Sequence, residues 1–149
     1  DPYRLIVSGR TKHFISAFGE HVIGEEVEYS MLKVSEEMNV QITEFTVAPF
    51  VSSDQGKSYH EWFVEFEQSP ASLGEFAARL DIALRQKNVY YDDLIGGSIL
   101  KPLKLTPVRK NGFIDYMKSI GKLGGQNKVP RLSNDRKIAD ELIKWTENH

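Results

Sequence analysis

None of the 149 residues is cysteine. That excludes a disulfide framework, a thiolate metal site and catalysis by a cysteine nucleophile, and it leaves the redox compartment open. No apolar run approaches the roughly twenty residues a membrane-spanning helix needs, and no charged-then-apolar leader opens the chain. Neither membrane insertion nor export is therefore expected, and cytoplasm is the default location. Familiar catalytic strings are also missing: there is no His-Glu-x-x-His, no Gly-x-Ser-x-Gly elbow, and no Walker spacing around Gly121-Lys122. His13, His21 and His60 lack metal-ligand spacing, so no metal site is expected within this chain.

What is present belongs to an ordinary globular domain, with 40% apolar and 27% charged residues. The length suits about one domain, able to bury roughly two-thirds of its unfolded surface. The formal net charge of -2 conceals an uneven spread. Residues 1–100 carry eight Lys and Arg against sixteen Asp and Glu, whereas residues 101–137 carry ten against two. The basic segment is where an anion would bind, or else it is a solvated basic face balancing an acidic one. Lys110-Asn111-Gly112-Phe113 matches a fragment of an RNA-recognition motif but lies at a helix start. Near-neutral net charge gives it no support, and no nucleic-acid partner is expected.

Periodicity orders the chain. Tyr3 to Ser8 reads as a strand, and a hairpin from about Lys12 to Val22 turns at Gly19. A helix follows from Gly24 to about Met38, with Glu25 and Glu26 at its positive end and Val27, Met31, Val34 and Met38 on one face. Val40 to Val51 reads as a strand whose apolar phase shifts between Ile42 and Phe45, the mark of a bulge. Tyr59 to Glu67 alternates, His60, Trp62, Val64 and Phe66 against Glu61, Glu65 and Glu67, with Phe63 the exception. That pattern predicts an antiparallel hairpin with one wet face. Ser72-Leu73-Gly74-Glu75 has the form of a capping box ahead of a helix striped by Leu73, Phe76, Ala77, Leu80 and Leu84. Asn88 to Gly97 reads as irregular, with Asp92-Asp93 either a surface turn or a carboxylate pair. Ile99 to Val108 reads as an edge strand because of Pro102 and Pro107. A short helix capped by Asn111 then points Phe113, Ile114 and Met117 inward, and a last helix runs from about Ser133 to Thr146. The expected fold is α+β: a small, antiparallel-leaning mixed sheet of split βαβ, ferredoxin-like form, with helices on one face and an N-terminal hairpin beside a hinge.

Two segments carry candidate chemistry. In Gly9-Arg10-Thr11-Lys12, a glycine with free backbone angles stands beside two long cations, as a joint requires. Just beyond it the hairpin over Phe18, Gly19, Glu20 and His21 would display at its tip the polar side chains of Glu20 and His21, which could swing as a unit. The second segment is Gly124 to Arg131, where Gln126, Lys128 and Arg131 offer an amide and two cations on a glycine-freed loop suited to phosphate oxygens.

These strings resemble the acyl-adenylate-forming enzymes, the superfamily of acyl-CoA synthetases, peptide-synthetase adenylation domains and luciferase-like ligases. Gly9-Arg10 falls on the Gly-Arg pair of their eighth core motif and Lys12 on its pivot. Gly19 to Glu28 follows the Gly-x-x-Val/Ile-x-Pro-x-Glu-Val/Ile-Glu run, with Gly24 where proline is usual. Within the superfamily, Phe18-Gly19-Glu20-His21-Val22 and Gln126-Asn127-Lys128-Val129-Pro130-Arg131 look most like the auxin-responsive acyl-acid amido synthetases of the Gretchen Hagen type.

The resemblance implies that residues 1–149 form a single mobile C-terminal lid with its hinge at residues 9–12. It implies that Lys128 enters the active site during adenylation, with Gln126 and Arg131 on the nucleotide side, and that the Gly19-Glu20-His21 hairpin serves the second half-reaction. ATP and Mg would be bound mainly by an N-terminal adenylation domain in cis. A carboxylic acid and an amino acid, or coenzyme A as the acceptor, would be the substrates. The alternative is a free-standing ferredoxin-like module that binds a small ligand or another protein.

Overall fold

The computed structural model describes residues 14–54, 56–121 and 129–146. It opens on the hairpin β1 (Phe14–Ile15) and β2 (Val22–Ile23), paired antiparallel with Ile15 opposite Val22. Helix α1 (Gly24–Glu37) starts at once, its third residue Glu26 accepting from the Ile23 N–H at 3.0 Å. Then come β3 (Ile42–Phe50) and β4 (Tyr59–Phe66), antiparallel, with the expected irregularity in register between Ile42 and Glu44. Helices α2 (Leu73–Lys87) and α3 (Val89–Gly96) carry the chain to β5 (Lys104–Pro107), which runs parallel to β4. Helices α4 (Gly112–Ser119) and α5 (Lys137–Leu142) follow, and a 3-10 turn over Ile143–Trp145 closes the described chain.

The sheet order is β3-β4-β5, which puts the proline-containing strand at an edge as expected. Against the other edge, beside β3, lies a short extended strap. The Val47 N–H donates to the Arg131 carbonyl and the Ser133 N–H to the Val47 carbonyl, both at 2.9 Å, around a parallel bridge from Val47 to Leu132. The last helix therefore begins at Lys137 rather than near Ser133, because residues 131–133 are spent on the sheet. The architecture is α+β, with a mixed sheet and packed helices.

Two expectations about the sheet faces are corrected. Val27, Met31 and Val34 of α1 and Phe76, Leu80 and Leu84 of α2 pack with Phe45, Val47, Trp62 and Val64 on one face. The opposite face is not wet. Phe63 and Ala48 pack there with Phe113, Tyr116 and Met117 of α4 and Ala139 and Leu142 of α5. Helices thus cover both faces, and Phe63 was the sign of it. The flanking carboxylates are buried too, each with donors. Glu61 meets Arg136 at 2.8 Å and the Thr106 hydroxyl, and Glu65 accepts the Asn111 and Phe113 N–H groups at 2.9 and 3.2 Å. A carboxylate set on the first turn of α4 satisfies free amides and complements the helix dipole.

Three local corrections follow. Asn88 to Gly97 is mostly helix, because the Asn88 side chain caps α3 by accepting the Tyr91 N–H at 2.8 Å. Asn111 makes no side-chain cap; it sits at φ 65 and Glu65 does the capping instead. Ile114 points outward at 47% exposure. Gly112, by contrast, has no room for a side chain, since an added Cβ would lie 2.4 Å from Val108 Cγ1.

Phe63→Ala should destabilise the domain by about 3–5 kcal/mol, the range for deleting a large buried ring, whereas Ile114→Ala should stay within about 0.5 kcal/mol. Urea titration of both variants reads the difference; a small Phe63 effect would restore the wet face.

Candidate functional site

The hairpin tip is built on two unusual backbone angles, Gly19 at φ 89 and His21 at φ 47. Glycine takes the first without strain, while a left-handed histidine needs its surroundings to hold it. The surroundings are buried polar groups. Glu20, expected on display, is fully buried: its side chain turns inward, where Oε2 meets His60 Nε2 at 2.7 Å and Oε1 accepts the Phe18 N–H at 2.8 Å. From the other side the Asn88 amide Nδ2 lies 3.1 Å from the Glu20 carbonyl, 3.4 Å from the His21 carbonyl and 3.0 Å from Glu26 Oε1. Gly19 and His21 remain exposed at the tip and Phe18 is half-buried against the main core.

The floor beneath the tip is equally committed. His60 is fully buried on β4, its ring tilted against that of Tyr91 with centroids 5.1 Å apart. The Tyr91 hydroxyl donates to Asp81 Oδ1 at 2.5 Å, and Asp81 also accepts the Leu103 N–H at 3.2 Å. Burial, then the neighbouring Asp81, push the Tyr91 phenol well above its ordinary range, so it is a neutral donor. Burial alone would raise the Glu20 carboxyl, but the His60 hydrogen bond and backbone amides outweigh it and hold it below the usual carboxylate range. Glu20 is therefore a carboxylate with His60 Nε2–H donating to it. His60 Nδ1 has no hydrogen-bond partner among the described residues.

The hairpin base also reaches residues just beyond the other candidate segment. The Ser16 N–H donates to Asn134 Oδ1 at 2.9 Å, joining it to the strap that follows Arg131. Val129 is buried in the second core, and the Pro130 carbonyl accepts from the Thr46 hydroxyl at 2.6 Å. Arg131 sits at the edge of β3, where its guanidinium pairs with Glu44 and with Glu28 at 3.1 Å, donates to the Phe45 carbonyl at 3.2 Å and stacks 4.6 Å above the Phe45 ring. Its charge is thus already neutralised by the domain itself. Gly9, Arg10, Lys12, Gln126 and Lys128 lie outside the described residues. Asp92 belongs to α3 and pairs with Arg85 at 2.6 Å, which removes it from any carboxylate pair with Asp93. Among the described residues no cluster of three or more His, Asp or Glu side chains could hold a metal ion.

Sequence reasoning missed His60 and Asn88 as parts of this site. The alternation of His60 with Trp62 and Val64 puts it on the core-facing side of β4, but alternation does not say which group it meets there. Asn88 carried the signal of a cap, overlooked beside a segment read as irregular.

A family model described as the GH3 family C-terminal domain matches residues 25–137. Two solved structures share the fold. The first is described as GH3.15 acyl acid amido synthetase, with TM-score 0.71 and 16% identity over 91% of this chain and 25% of that one. The second, AtGH3.15 acyl acid amido synthetase in complex with 2,4-DB, gives TM-score 0.70 and 14% identity over 91% of this chain and 26% of that one. This chain thus spans about a quarter of the length of these two solved structures. No curated protein matches it in sequence.

The depressed Glu20 carboxyl sets a pH dependence. Its contribution to stability is complete above about pH 5 and is lost as pH falls through the folded-state value. Glu20→Gln should cost about 1–3 kcal/mol at pH 7, and the gap from the parent should narrow as acidification carries the pH below the ordinary carboxylate range and through the lower folded-state value. Paired urea titrations at pH 7 and in that acid range measure it; a constant gap would mean that the Glu20 charge is not what the site stabilises.

Proposed function

The chain belongs to the GH3 family, as its C-terminal domain, and from that premise we propose that it is the mobile lid of an ATP-dependent acyl-acid amido synthetase. In the first half-reaction a carboxylate oxygen of the acid attacks the α-phosphorus of ATP. The bond to the bridging oxygen breaks, leaving acyl-adenylate and pyrophosphate. In the second, an amino acid amine attacks the acyl carbonyl and AMP departs, so that an amide forms and the amine proton is released.

Each half-reaction asks something different of the lid. Negative charge builds on the phosphoryl oxygens in the first, and a lysine brought there stabilises it in a site from which water is excluded. Lys128 is that lysine, next in sequence to Val129, which is buried in the second core, and to Pro130, whose carbonyl accepts from the Thr46 hydroxyl. Arg131 is fully engaged by Glu28 and Glu44, so it serves as a buttress for these residues and leaves phosphate contact to Lys128 and Gln126. For the second half-reaction the lid turns about Gly9, Arg10 and Lys12 and brings the hairpin tip to the cleft. ATP, with Mg, and the acid are held by the N-terminal adenylation domain in cis, and no step is assigned to the metal on this domain.

The observation that carries the reading is the tip itself. Gly19 and His21 stand exposed in left-handed backbone conformations above a fully buried Glu20, an arrangement that presents backbone rather than a carboxylate to whatever docks there. Residues held in such sparsely populated backbone conformations cluster at ligand clamps and switch regions, which supports the reading.

In the full-length enzyme, Lys128→Ala should lower acid-dependent pyrophosphate exchange by on the order of a hundredfold or more. Lys12→Pro, which locks a backbone angle at the pivot, and Gly19→Val, which puts a β-branched residue at φ 89, should spare that exchange and depress amide formation. Unchanged rates in both assays would remove these assignments.

A further inference from the structure

Glu20, His60 and Asn88 come from a hairpin, a central strand and the cap of α3, yet all converge on the underside of one exposed turn. Asn88 does two jobs with one side chain. Its Oδ1 accepts the Tyr91 N–H and starts α3, while its Nδ2 faces the successive carbonyls of Glu20 and His21. Among the described residues, His60 is the one side chain that donates to the Glu20 carboxylate. Neither His60 nor the Asn88 amide reaches the surface, since both residues are at least 95% buried. They cannot touch a substrate, but they can decide the shape of what does.

We propose that His60 and Asn88 are positioning residues for the amide-forming step, acting through Glu20 to hold the Gly19–His21 turn in the one backbone form that completes the acceptor site. This rests on the lid reading given above and adds to it which residues set the tip. The physical case is that a non-glycine residue at φ 47 is held there by its surroundings. With the carbonyls of the two peptide units that flank the His21 Cα tethered and the preceding carboxylate pinned, the turn arrives at the cleft already ordered. Without the tethers it would have to be ordered at the moment of docking, and a misplacement of about 1 Å at a reacting centre can cost a hundredfold.

Three variants of the full-length enzyme test this, each assayed for pyrophosphate exchange and for amide formation. Asn88→Ser keeps an oxygen to cap α3 and removes the donor to the two carbonyls. His60→Leu removes the donor to Glu20, and His60→Gln restores one, because the glutamine Nε2 falls near the position of the histidine Nε2. Asn88→Ser and His60→Leu should lower the amide-forming kcat by roughly 10- to 100-fold with exchange changed less than about twofold, and His60→Gln should recover most of the rate. Gly19→Val run beside them separates the two ideas. If Gly19→Val loses amide formation while folded Asn88→Ser does not, the positioning role is overturned and the lid reading stands. If Gly19→Val leaves amide formation intact, the tip has no role in the step, and the positioning proposal falls together with the tip's part in the lid reading. Parallel losses in the two assays would mean that the buried groups only support the fold, which also overturns the proposal. Should His60→Leu fail to fold, Asn88→Ser decides the matter alone.

Discussion

A carboxylate taken out of water must be given donors, and this domain meets that demand repeatedly around a single strand. Glu20, Glu61, Glu65 and Asp81 are all buried. Glu61 and Glu65 lie on β4 itself, and Glu20 reaches β4 through His60. Each ties its element to another: the hairpin to β4, β4 to α5 and β5 through Arg136 and Thr106, β4 to the start of α4, and α2 to α3 through Tyr91. Apolar packing holds the layers together and is tolerant of sliding. The buried charges are not, because losing one partner leaves an ion without solvent.

That constraint explains why a hairpin of two-residue strands can be a working part. Isolated, so short a ribbon would be marginal at best in water. Here Ile15 and Val22 are sunk in the core, Ser16 is tied to Asn134 on the strap, and the tip is pinned from below by Glu20 and from the side by Asn88. The strap in turn roots the segment that ends at Arg131 on the edge of β3. The hairpin and residues 129–131 are therefore fastened to the same sheet.

Much of the fold was legible because local signals and tertiary demands agreed. The N-cap at Ser72, whose hydroxyl accepts the Glu75 N–H at 3.1 Å, and the bulge after Ile42 appear where turn chemistry and periodicity put them, and the strand marked by prolines keeps its edge position though only over Lys104–Pro107 rather than from Ile99. The failures share one cause. Glu61 and Glu65 alternate with core residues as solvent-facing charges do, and alternation records only which side a residue points to, never what covers that side. Phe63, out of pattern, was the local hint that a second helical layer lay there. Asn88 failed in a related way: an asparagine followed by aromatics and aspartates reads as a turn until it is seen capping a helix and reaching back to the hairpin.

Composition, spacing and motif order by themselves determined the α+β class, most element boundaries and the family, because these depend on near neighbours and on ordered strings such as Gly19 to Val22. Whether a charge faced water or a partner was decided only in three dimensions. Glu20 is 40 residues from His60 and 68 from Asn88, so no window along the chain holds both ends of either contact. The partner that stabilises a buried charge comes from wherever the topology brings it, and that is why the exposed turn could be read from sequence while its anchor could not.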